Sequence, residues 1–281
     1  LETAGTIEEA ENVLRANKYD LVLLDDQTVH LAKNADDLIN YVYLAQDNLA
    51  DYMAKVEQLG NVPNIMAGIE NDRALQIKNV MTTVSKLASE GIFGIEKYLN
   101  WGVDVQELPV ERSDQRDELR EKMAEYFVGL GVRKSIIGNI DIVCEEMLMN
   151  AIYDAPADMS GNPKYNQLSR QEIVILPEEE QARFRFGTDG TYAAVSVSDP
   201  FGGLNAQTIF KYLASCYEGR AGEYNEEKGG AGRGLHQIIE NSTLVIFNVA
   251  PGKRTEVIAL FYIVPGDKRD HNPQFHFFTA Q

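Results

Sequence analysis

The segment EEMLMNAIYDAP, Glu145 to Pro156, sets Glu146, Asn150 and Asp154 at intervals of four in otherwise apolar surroundings. On a helix these three share one face, while Val143, Met147, Leu148 and Ile152 are left for a core. A polar row of this kind faces solvent or a ligand. The Asn150 amide oxygen suits a hard cation such as Mg2+, which takes oxygen ligands and commonly shares them with phosphate. A carboxylate one turn away, that of Glu146, can take a proton from a hydroxyl or a water.

Two glycine-bearing segments follow. SDPFGGL sets Asp199 at the end of an apolar run and turns the chain through Gly202 and Gly203. KGGAGRGLHQI carries Gly229, Gly230, Gly232 and Gly234 straight into a short helical pattern. Glycines allow close backbone approach, and a helix N-terminus attracts anions, so the segment suits a phosphate; a surface loop is the plainer alternative.

In this order the three segments resemble the histidine-kinase-like (GHKL) ATPase superfamily, over about residues 110 to 265. The resemblance implies an α/β sandwich that binds ATP and Mg2+. It implies that Glu146 is the general base, that Asn150 is the Mg2+ ligand and that Asp154 lies beside the nucleotide. Asp199 corresponds to the aspartate that accepts a hydrogen bond from the adenine amino group, and Gly202 and Gly203 lie against the base. The stretch from Gly219 to Gly232 corresponds to the ATP lid, with Gly230, Gly232 and Gly234 near the phosphates, and Thr255 supports the adenine pocket. One position departs: Phe201 stands where the superfamily's D-x-G-x-G has its first glycine. Of the four histidines, His30, His236, His271 and His276, none lies in an H-E-x-x-x-P context, so the nearest branch is the anti-sigma factor serine kinases rather than sensor kinases.

The elements that must position these residues differ along the chain. TAGTIEEAENVLRANKYDLVLLDD reads as strand, helix and strand, with Thr6 and Glu9 as a capping box, and it resembles a response-regulator receiver, a flavodoxin-like fold. That resemblance places the phosphoacceptor on Asp25, with Asp26 the less favoured register. The receiver's first strand and acidic pair would precede Leu1, so the chain is either truncated or has lost them. VPNIMAGI, aligned with the fourth strand, puts Gly68 where Thr or Ser is expected, and GIEKYLNWG, aligned with the fifth, offers Asn100 and Trp101 for the usual Lys-Pro pair, which favours a degenerate receiver over a phosphorylatable one. Leu38, Val42, Ala45, Leu49, Tyr52, Val56 and Leu59 follow a heptad rhythm that predicts a long helix and allows a homodimer seam. A second helix is expected with Ala74, Ile77, Met81, Val84 and Ala88 on its apolar stripe.

Polar GVDVQELPVERSDQRDEL, with Pro109, suggests a domain boundary, giving a receiver-like part at 1–105 and an ATPase part at 106–281. Beyond it come helices at 113–130 and 135–153, strands in EIVILP, ARFRFG and YAAVSVSDP, helices in AQTIFKYLASCYE and GLHQIIEN, and the hairpin LVIFNVAPGKRTEVIALF. The expected fold is therefore mixed, α/β first and α+β after; the tail past Pro265 gives no signal.

Composition bounds the partners. The 281 residues are 44% hydrophobic and 25% charged, with 26 basic against 43 acidic residues and a net charge of −17. No stretch is basic enough to track a nucleic-acid backbone. No run reaches the roughly 18 apolar residues of a membrane span, and no signal peptide is seen. Cys144 and Cys216 are too few for a disulfide framework, which suits a cytoplasmic protein, and the resemblance to the anti-sigma factor serine kinases implies a protein partner in a signalling pathway.

Overall fold

A computed structural model describes residues 2–34, 39–45, 49, 51–52, 64–68, 73–88, 91–158, 160–217, 231–264 and 273–280. Its strands are β1 (Leu21–Leu24), β2 (Asn40–Ala45), β3 (Asn64–Ala67), β4 (Gln106–Val110), β5 (Ala182–Thr188), β6 (Tyr192–Asp199), β7 (Leu244–Ala250), β8 (Arg254–Tyr262) and β9 (Gln274–Thr279). They form one nine-stranded mixed sheet in the order β1-β2-β3-β9-β7-β8-β6-β5-β4. The pairs β1/β2, β2/β3 and β7/β9 are parallel and the others antiparallel. The helices are α1 (Ile7–Ala16), α2 (Arg73–Ala88), α3 (Arg116–Gly129), α4 (Lys134–Met149), α5 (Ala206–Tyr217) and α6 (Ala231–Glu240). The mixed α/β class is as expected, and so is the β7–β8 hairpin.

Strand parity divides the core. Ala193, Val195 and Val197 of β6, with Val245, Phe247 and Val249 of β7, join the helices α3, α4, α5 and α6 in one apolar cluster. Ala194, Leu244, Ile246, Ile258 and Leu260 join a second one, with Ile92, Ile95, Tyr98 and Leu99 and the α2 residues Val80 and Leu87. Successive side chains alternate between faces, so a strand buried throughout, as β6 is, must serve two cores.

Several local expectations are overturned. Val42 and Ala45 of the heptad pattern lie in β2; Leu49 and Tyr52 are buried, while Leu38, Val56 and Leu59 fall outside the described residues. Tyr41, Val42 and Tyr43 are β-branched or aromatic, and packing between β1 and β3 outweighs the seven-residue rhythm. That rhythm no longer supports a dimer. Polar QELPV, where the domain boundary is expected, forms β4 at the sheet edge, a position that tolerates Pro109. EIVILP makes only the bridge Arg112 to Ile175, and GIEKYLNWG is a 3-10 turn at Ile95–Lys97 rather than a fifth strand. The segment before α1 is not a strand, although the cap is as expected: the Glu9 N–H donates to Thr6 Oγ1 and the Gly5 N–H to Glu9 Oε2.

Helix α2 turns its expected stripe outward. Ile77 and Met81 are 54% and 60% exposed, and the buried side carries Thr83 and Lys86; the Ala74 side chain is outside the described ones. Lys86 Nζ donates to Tyr98 Oη at 2.6 Å and to Asn248 Oδ1 at 2.7 Å, and lies 3.9 Å from the centre of the Phe278 ring. Asn248 Nδ2 in turn donates to Glu256 Oε2, which also accepts from the Gly94 N–H. A buried lysine must keep such partners, so this network fixes the rotation of the helix against its apolar periodicity.

The uninformative tail supplies β9, which lies between β3 and β7 and joins the N-terminal strands to the rest. Phe275 is fully buried, with ring centroids 5.4 Å from Phe247 and 5.6 Å from Phe210. In urea denaturation, Phe275→Ala should lose about 3–5 kcal/mol of stability, whereas Trp101→Ala, at a fully exposed position, should change it by less than about 0.5 kcal/mol.

Candidate functional site

Helix α4 runs from the core into its polar end. Ile140, Val143, Cys144, Met147 and Leu148 are buried, and the helix continues as a single π-turn over Asn150–Asp154 in which the Ala155 N–H reaches back to the Asn150 carbonyl at 2.8 Å. A π-turn is rare and is found mostly where a site needs side chains re-aimed. It falls on the Asn150–Asp154 part of the predicted row.

The two adjacent acids have separate fates. Glu145 pairs with Arg116 at 3.1 Å and Arg120 at 3.3 Å on α3, and Arg120 also reaches Asp141 at 3.0 Å. It therefore ties two helices together. Glu146 has no such pair among the described residues: its half-buried carboxyl packs against Gly234 of α6, where a Cβ would overlap Oε2. Burial, and then the Glu145 and Asp154 charges, push its pKa above the usual carboxylate range, with Arg170 opposing. A carboxyl held in that way is suited to receive a proton.

Asp154 is not an open ligand. Its carboxylate accepts from Arg170 Nη2 at 3.1 and 3.3 Å, and burial raises its pKa while Arg170 opposes the shift. The Arg170 guanidinium stacks 4.6 Å from the centre of the Tyr153 ring, and the Tyr153 hydroxyl donates to the carbonyls of Arg170 and Glu172. Buried Nη1 of Arg170 has no hydrogen-bond partner among the described residues. Arg170 is a residue that the sequence reading missed, because it sits in the loop NQLSRQE with no periodicity to relate it to Asp154. The Arg116–Arg120 spacing of four, one helix upstream, was a usable signal for the role of Glu145.

Asp199, Gly202 and Thr255 converge at one end of the β6/β8 ladder. Asp199 pairs with Thr255 in register, and odd-numbered residues of both strands face the helical layer. The Asp199 carboxylate accepts from the Phe201 N–H at 3.0 Å, from the Gly202 N–H and from the Thr255 hydroxyl. Burial nevertheless pushes its pKa up to about 6. At Gly202, φ is +62°, and a Cβ there would meet Lys253 N at 2.7 Å and Gly252 N at 2.8 Å, so the post-strand loop lies directly on the β7–β8 turn. Gly203 is exposed, and Phe201 is half-buried.

The glycine-rich segment is described only from Ala231. Gly232 and Gly234 lie in α6, whereas Gly219, Gly229 and Gly230 and the rest of the expected lid lie outside the described residues. Helix α4 packs against α6, and both α4 and the π-turn lie against β6. Glu146, Asn150, Asp199 and Thr255 thus share one layer. In donor chemistry, an amide oxygen such as that of Asn150 suits Mg2+, a cation that takes one or two protein ligands and the rest from phosphate and water. Among the described residues no three His, Cys, Asp or Glu side chains gather as a metal cage.

Asp25 sits apart from this layer, after β1. Its Oδ1 accepts from the Thr28 hydroxyl at 2.7 Å and from the N–H groups of Thr28 and Gln27, and these bonds, led by the Thr28 hydroxyl, lower its pKa. The carboxylate thereby closes the turn into Val29–Asn34, and Asp26 accepts from the Tyr43 hydroxyl. Among the described residues no helix is long and apolar enough to cross a membrane. The chain matches none of the protein families or curated proteins with which it was compared.

Two measurements test this geometry. A group whose folded pKa is raised binds protons that the unfolded chain has lost, so Asp199 should make stability fall as pH rises from about 4 to about 6, by roughly 3 kcal/mol. Asp199→Asn should flatten that slope in urea titrations at pH 4 and pH 7. Gly202→Ala should lower stability by about 2–4 kcal/mol, since it meets both the backbone contact and the positive φ.

Proposed function

We propose that the chain is an ATP-binding signalling protein of the cytoplasm, in which a histidine-kinase-like ATPase part phosphorylates a serine or threonine of a partner protein under control of a receiver-like N-terminal part. The observation that carries this reading is the half-buried Glu146 carboxyl against Gly234, which has no ion-pair partner among the described residues, in the same layer as the Asp199–Thr255 pair. Glu146 accepts the hydroxyl proton; its raised pKa keeps it basic enough to do so near neutral pH. Asp199, ionised above about pH 6, offers the acceptor that an adenine amino group needs, and Thr255 holds it in place. Mg2+, bound with ATP, would neutralise charge on the phosphates, and Asn150 is the side chain to hold it. Arg170, anchored on Asp154, supplies positive charge beside the same row. A homodimer is compatible with this reading and is not required by it.

A second reading has its own support. Phe201 replaces a glycine of the adenine-binding loop, and a ring there favours a nucleotide sensor or scaffold that changes its partner binding without transferring phosphate.

Isothermal titration with ATP and with a non-hydrolysable analogue, with and without Mg2+, separates these readings from neither. Mg2+-dependent binding, weakened at least tenfold in Asn150→Ala, is expected; no binding of either nucleotide would overturn the kinase and the nucleotide sensor and leave a scaffold. Glu146→Ala should then abolish phosphoryl transfer to the partner while leaving ATP affinity within about threefold, since the base acts on the transition state rather than on the bound nucleotide. Unchanged partner binding and no transfer by the parent protein would select the sensor.

A further inference from the structure

On the opposite face of the sheet, α2 and the Ile95–Lys97 turn enclose a pocket of about 310 Å3 lined by Lys78, Met81, Thr82, Ser85, Lys86 and Lys97. That volume is in the range of small-ligand sites. Lys78, Thr82 and Ser85 follow one another at helical spacing along a single stripe of α2, and Lys97 comes from the turn. Among the described residues of the lining every polar side chain is a hydrogen-bond donor, and none is a carboxylate. This is unexpected in a chain with 43 acidic and 26 basic residues.

The neighbouring carboxylates are already engaged. Asp189, 3.9 Å from Lys78, accepts from the backbone N–H groups of Asn100, Thr191 and Tyr192. Glu96 is paired with Arg185 at 2.9 Å, and Glu256 accepts from Gly94 and Asn248. Lys86, held by Tyr98 and Asn248, also lines the pocket, but burial lowers its pKa, with the Glu256 carboxylate opposing the shift and Lys97 adding to it, so the pocket's cationic character rests on Lys78 and Lys97.

We infer that this pocket binds a small molecule carrying a phosphate group. Lys78 and Lys97 contact its oxygens as ammonium donors, Thr82 and Ser85 donate their hydroxyls, and the Met81 side chain covers an apolar flank. The site uses none of the residues of the nucleotide reading and stands whether or not that reading holds.

Pyrophosphate is the probe, titrated calorimetrically into the full chain at constant ionic strength, beside citrate. Saturable pyrophosphate binding is expected in the parent and in Asn150→Ala, at least tenfold weaker in the double variant Lys78→Gln/Lys97→Gln, with citrate weaker than pyrophosphate. The double variant's fold is checked by its thermal transition; should it not fold, Thr82→Val/Ser85→Ala, which leaves the charges in place, should weaken binding severalfold. No saturable binding in the parent, equal affinity in the lining variant, or loss of binding in Asn150→Ala would each overturn the assignment; citrate binding as tightly as pyrophosphate would overturn the phosphate selectivity.

Discussion

A strand inside a sheet must satisfy its backbone N–H and C=O groups on both edges, and β9 is where that demand is met for the whole molecule. It pairs antiparallel with β3 and parallel with β7. Without it, β3 and β7 would each present an open edge lined by buried aromatic and aliphatic side chains. The joint is secured by side chains as well: Asn64 Oδ1 accepts from the Thr279 N–H, Asn64 Nδ2 donates to the Tyr41 carbonyl, and Asn79 Nδ2 donates to Gln274 Oε1. The parallel β1-β2-β3 segment and the antiparallel segment beyond β9 consequently share one hydrogen-bonded ladder.

The continuous sheet gives the protein two faces of different character. On the helical face, the residues capable of chemistry are carboxylates and an amide: Glu146, Asn150 and Asp199, with Arg170 held by Asp154. On the other face the buried polar groups centre on Lys86, and the pocket above it is lined by donors. Strand parity enforces the division. Thr255 and Glu256 are neighbours in β8, yet Thr255 supports Asp199 on one side and Glu256 accepts from Asn248 on the other.

Within the helical face, the arrangement separates structural charge from chemical charge. Glu145 is consumed by two arginines of α3, Asp154 by Arg170, and Asp25 by the turn that follows β1. Among the described residues, Glu146 and Asp199 are the carboxyls whose pKa burial raises without a comparable ion pair to offset it. Ion pairs for Glu145 and Asp154, and hydrogen bonds from Thr28 and Gln27 for Asp25, set these three acids apart from Glu146 and Asp199.

Local pattern was sufficient wherever one element could satisfy itself. The α1 cap, the apolar face of α4, the β7–β8 hairpin and the turn through Gly202 are legible from residue types and spacing, because their hydrogen bonds and periodicities close within a few residues. The row Glu146, Asn150, Asp154 and the strand-end Asp199 were legible for the same reason. Where the partner is far along the chain, the sequence misleads. A heptad rhythm became β2 because strands on both sides offered ladder bonds; the stripe of α2 turned outward because Lys86 had to reach Asn248, 162 residues away. A featureless tail became the central strand for want of any other chain to fill that gap. Which acid of the pair Glu145–Glu146 is taken up by arginines was decided by the packing of α3 on α4; the Arg116–Arg120 spacing hinted at such a pairing but could not say which acid it would take.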